Sequence, residues 1–91
     1  MKIILQISIS CDGSGGGYLG FVRKEYQSEV TPFVGLEIEN PAWFGPRRVN
    51  SVVLNLEENY YLVTLEDEKL EKAEEHEKVK KRYKKQGWKP D

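Results

Sequence analysis

Covalent catalysis needs a nucleophile, a base and a group that orients the base, and this chain of 91 residues offers one cysteine, Cys11, and one histidine, His76. Asp12 follows Cys11 directly and nothing basic is adjacent, an arrangement that opposes thiolate formation. His76 stands between Glu75 and Glu77 in a run of charged residues, which predicts an exposed helical position. Glu57 and Glu58 are consecutive in a turn segment, where they solvate the chain instead of sharing a proton. One cysteine and one histidine cannot build a soft-ligand metal site within one chain, and a lone cysteine forms no internal disulfide. The expectation is a chain that is not an enzyme, holds no metal or cofactor, and works in a reducing, cytoplasmic compartment.

Two stretches have residue types suited to binding. The first is the glycine-rich segment 11–20, in which Gly15, Gly17, Gly20 and Val22 match G-x-G-x-x-G-x-V, the pattern that covers ATP phosphates between two antiparallel strands in protein kinases. The remaining kinase elements do not follow: there is no V-A-I-K, H-R-D or D-F-G. The dinucleotide reading of these glycines needs a helix after them, and Phe21-Val22-Arg23-Lys24-Glu25-Tyr26 lacks a helical apolar period. A hairpin tip is the expected role of Gly13 to Gly20. The second stretch is Trp43-Phe44 with Arg47-Arg48, bracketed by Asn40-Pro41 and Gly45-Pro46. Aromatic and guanidinium groups are enriched at recognition hot spots and at single-stranded nucleic-acid platforms. Large rings also fill small cores, so Trp43 and Phe44 have both uses open to them, one ring each. Lys81, Lys84 and Lys85 are candidate phosphate contacts, although a charge run is ordinarily a solvated face.

Strands must position these residues. Lys2 to Ser10 alternates with period two, Ile3, Leu5, Ile7 and Ile9 falling on one face, and Tyr18 to Gln27 reads as its hairpin partner, with a later half at an edge or fraying. The chain from Pro32 to Leu65 reads as three antiparallel strands, and everything else looks like material to cover them. In the first, Val34, Leu36 and Ile38 point one way. The second runs from Arg47 to Leu56, with a phase slip between Val49 and Val52 that implies a bulge near Asn50-Ser51. Glu57-Glu58-Asn59 turns the chain, Asn59 being suited to a left-handed position, and Tyr60 to Leu65 returns with Tyr61, Val63 and Leu65 inward.

From Asp67 to Gln86 no breaker interrupts a charged run, which predicts a helix of about five turns capped at Asp67. Gly87 at a left-handed C′ position, Trp88 against Tyr83, and Pro90 mark its end. Glu68 with Lys72, Glu74 with Lys78, and Glu77 with Lys81 are i,i+4 pairs, each contributing about 0.2–0.5 kcal/mol. Leu70 and Val79 face nearly opposite sides, so packing is expected around Leu70 and Ala73, the rest projecting.

The predicted fold is one α+β domain over residues 1–91: a small, bent antiparallel sheet of about five strands, roll or SH3-like, over 1–65, and one long helix with its tail over 66–91. The opening MKIILQISISC has the lysine, apolar run and cysteine of a lipoprotein leader, but Gln6 and Ser8 break the run, so export is not expected. No segment approaches the ~20 apolar residues of a membrane span. Net charge is −1, and about half of the charge lies in the last quarter. Size and the missing catalytic set point to a non-enzymatic protein-binding module, a small accessory or inhibitory protein of bacterial or phage type, monomeric or paired through its helix. The alternative is a small nucleic-acid-binding β-barrel using Arg47, Arg48 and the basic half of the helix.

Overall fold

Ile3, Leu5, Ile7, Ile9 and Cys11 fall on one face of a single strand, and all five are buried. That strand, β1 (Lys2–Cys11), is the middle of the molecule; the computed structural model describes residues 1–12 and 17–91. Of the tip expected over Gly13 to Gly20, residues 13–16 lie outside the described residues, and Gly17 to Gly20 are already part of a strand. β2 (Gly17–Gln27) returns antiparallel and stays paired to β1 to the end, Lys2 opposite Gln27, so its later half does not fray; on its other side only Val22 and Arg23 have a partner strand, so among the described residues that later half lies at an edge, as expected. The register shifts between Ile9 and Ser10. Gly20 lies there with φ 148°, and a Cβ at that position would come within 2.8 Å of the Asp91 carboxylate.

After β2 come β3 (Glu37–Ile38), β4 (Arg47–Asn55), β5 (Tyr60–Leu65) and β6 (Glu68–Leu70), then a 3₁₀ turn (Ala73–Glu75), helix α1 (His76–Lys85) and β7 (Lys89–Pro90). The architecture is α+β, a seven-stranded sheet in the order β3-β4-β5-β1-β2-β7 with β6 also on β1. Four pairings are antiparallel, as expected, but β5 and β6 run parallel to β1. Among the described residues the strand order is an open path. The organising element is therefore β1, not the segment from Pro32 to Leu65.

The β4–β5 hairpin matches its prediction closely. The register slips between Val49 and Ser51, leaving Asn50 unpaired, and Asn59 takes φ 56° in the turn. The strand expected from Pro32 is only Glu37–Ile38, because Val34-Gly35 forms a turn with Gly35 at φ 95°. Val34 consequently points to solvent while Leu36 and Ile38 pack on the core.

The long helix is the principal correction. Residues 68–70 form a strand, and α1 starts only at His76. β5 covers β1 from Lys2 to Gln6, which leaves Ile9 to Cys11 without a neighbour on that side until β6 pairs with them. Unpaired backbone groups in a buried strand are costlier than a few lost helical turns of modest propensity. Leu70 is buried as a strand residue and Ala73 is exposed, so the helix packs through Val79 and Tyr83 instead. Glu68 is out of reach of any helical pairing with Lys72; on α1 the ion pair present is Glu77 with Lys80, at 3.0 Å. The predicted terminus holds: Trp88 N–H donates to the Tyr83 carbonyl, Gly87 N–H to that of Lys84, and Gly87 has φ 87°.

Candidate functional site

Between β2 and β4 the chain makes an excursion over residues 28–46 that carries only the two residues of β3. Connections longer than about 12–15 residues without structure of their own are uncommon and usually serve a function. This one is pinned along its length. Met1 and Ser28 exchange backbone hydrogen bonds at 3.0 Å, Ser28 Oγ accepts from Val30 N–H, and Pro32 is buried. Gly35 and Leu36 bond to Val49 across the sheet at 2.9 and 2.8 Å.

Asn40 holds the far end. It is buried; its Oδ1 accepts from Ala42 N–H (3.0 Å) and from the Trp88 indole (3.4 Å), and its Nδ2 donates to the Tyr26 hydroxyl (2.6 Å). A turn of this kind suits asparagine, whose amide mimics a backbone group, and here it also ties the excursion to β2 and to the C-terminal segment.

Trp43 is half-buried against the core, its ring 5.8 Å from that of Trp88, and its indole N–H donates to the Tyr83 hydroxyl at 3.0 Å. That hydroxyl donates to Glu68 Oε1 at 3.2 Å. Arg82 and Arg47 converge on the same carboxylate, Arg47 at 3.0 Å. The other Arg47 terminal nitrogen donates to the carbonyls of Glu66 and Asp67, and its guanidinium lies over the Trp43 ring. Burial raises the Tyr83 phenol above its ordinary value near 10, with the Glu68 carboxylate as second cause.

The predicted site residues thus divide. Trp43 and Arg47 belong to a closed internal network that fastens β6, α1 and the excursion together. Phe44 is fully exposed. Arg48 is exposed with its side chain 3.8 Å from Glu37, while its backbone N–H donates to Glu66. Lys81, Lys84 and Lys85 are exposed on α1. Sequence reasoning missed Asn40 and Glu68 as the hubs; Asn40-Pro41 was visible only as a turn, and Glu68 only as half of a helical pair.

His76 is half-buried at the start of α1, not exposed, with Nε2 shielded and without a protein partner. Cys11 is buried and its thiol donates to the Glu71 carbonyl at 3.7 Å.

Beside the network, the excursion leaves apolar surface open. A groove of about 430 Å³ runs between it and the sheet, with Ile3, Leu5 and Tyr26 on one side and Pro32, Leu36 and Ile38 on the other. Val30, Phe33 and Val34 stand exposed on the same excursion, the last two at 58% and 65%. A second cleft of about 590 Å³ lies at Trp43 and Phe44, and Glu39, Asn40 and Pro41 line both. The two hollows therefore adjoin across that segment. Comparison with protein-family models, with curated proteins and with solved structures gave no match for this chain.

Proposed function

We propose that the protein is a non-enzymatic protein-binding module and that residues 28–46 are its recognition surface. One observation carries the reading: the apolar side chains Val30, Phe33, Val34 and Phe44 stay in water on a segment whose backbone is anchored at intervals, at Ser28, Val30, Gly35, Leu36, Ala42 and Trp43. Contiguous exposed apolar surface on a small domain is characteristic of interaction sites, and a pinned backbone lowers the ordering cost of binding. The occupant that suits the groove is an apolar segment with a basic residue to meet Glu39 at its margin. The buried, hydrogen-bonded thiol of Cys11 supports the absence of thiol chemistry from this reading.

The nucleic-acid alternative has less support, since Arg47 spends its guanidinium on Glu68 and two carbonyls, leaving Arg48 and the lysines of α1. The test uses the wild-type chain and the double variant F33D/V34D as baits against host extract, with single- and double-stranded oligonucleotides titrated at two salt concentrations. A protein retained by wild type and lost by the variant is expected. Equal capture by both baits, or oligonucleotide binding that weakens steeply with salt, would favour the alternative.

A further inference from the structure

The outer edge of β4 is covered for only part of its length. β3 pairs with Arg47 and Arg48, and Gly35 and Leu36 bond to Val49. Past the bulge at Asn50, residues 51–55 have β5 on one side and no strand on the other among the described residues. Sheet edges are normally blunted by lysine, proline or an inward charge, because their free N–H and C=O groups template pairing with another chain. Ser51-Val52-Val53-Leu54-Asn55 has none of these, and Val53 is 57% exposed.

The segment is also self-complementary. Laid antiparallel on its own copy about Val53, it sets Val53 against Val53, Val52 against Leu54, and Ser51 against Asn55. The same register extends a row on the sheet face away from the core, where Val53 is opposite Leu62 and Leu62 opposite Ile4. Pairing at Val53 would join two such rows into one apolar stripe spanning both copies. An isologous contact requires this kind of match between a patch and itself.

We propose that the protein forms a two-fold dimer by antiparallel pairing of residues 51–55 with the same segment of a second copy, giving one sheet continuous across the axis. Pairing through the helix has no comparable basis, since Val79 and Tyr83 are buried against the sheet. The dimer uses residues distinct from the excursion, so its failure leaves the recognition surface as it stands.

Sedimentation velocity on the full chain over a concentration series tests it. The mass rises from that of the 10.5 kDa chain toward twice that value. V53K, with an unchanged melting temperature, keeps the chain monomeric by setting two like charges face to face. V53I, which keeps a β-branched apolar side chain at the axis, still dimerises. A monomer at every concentration, a dimer indifferent to V53K, a V53I chain that fails to associate, or a monomer whose capture of some other protein depends on Val53 would each overturn the proposal.

Discussion

The C-terminal segment and the 28–46 excursion use their side chains in opposite ways. Residues 68–91 hold about half of the charge and two of the largest rings, and they turn the rings and one carboxylate inward: Glu68 takes two arginines and a tyrosine hydroxyl, and Tyr83 and Trp88 are buried with their rings 5.3 Å apart, while the lysines of α1 stay in water. The excursion is reversed, its backbone anchored at intervals while several of its apolar side chains face water. Density of chemically capable residues is therefore a poor guide to the working surface of this protein. The unused apolar side chains lie where the sequence is less charged.

Substitutions separate the two regions by the size of their effect on stability. The largest is Trp88→Ala, which empties the contact with Trp43 and Tyr83 and lowers unfolding free energy by about 3–5 kcal/mol, measured by urea denaturation. Glu68→Ala leaves Arg47, only 19% exposed in its side chain, facing carbonyls alone; a loss of about 2–3 kcal/mol is expected in the same assay.

Tyr83→Phe sharpens the comparison through pH. The folded phenol titrates above the unfolded one, so its contribution is complete below the unfolded value and disappears as pH rises through the folded one. Wild-type stability accordingly declines above about pH 10. The variant loses about 1 kcal/mol near neutrality and shows a shallower alkaline decline, which indole fluorescence can follow because both tryptophans adjoin Tyr83. The smallest effect belongs to F33S/V34S, which changes stability by less than about 0.5 kcal/mol yet abolishes partner capture. A large stability loss from that pair would break the comparison.

Local patterns were legible wherever one rule decided the outcome. Period-two alternation placed β1, the odd spacing of Val49 and Val52 located the bulge, and Gly87-Trp88 marked the helix end. Non-local competition was not legible. Glu68-Lys69-Leu70 has the composition of a helix start, and only the unfilled side of β1 makes it a strand. The parallel pairing of β1 with β5 joins residues nearly sixty positions apart with no sequence mark of its own. At the site, Trp43-Phe44 and Arg47-Arg48 were identifiable as types, but which ring turns inward depends on the Tyr83 hydroxyl and the Trp88 ring, which only the fold brings to them.

The distinction between scaffold and recognition surface is tested most directly by selecting binders from a displayed random-peptide library and mapping one on the isotope-labelled protein by amide chemical shifts. Shifts gathered on residues 28–46 and on the adjoining Ile3, Leu5 and Tyr26 are the expected result. Shifts centred on the basic face of α1, or a library that yields no binder, would contradict it.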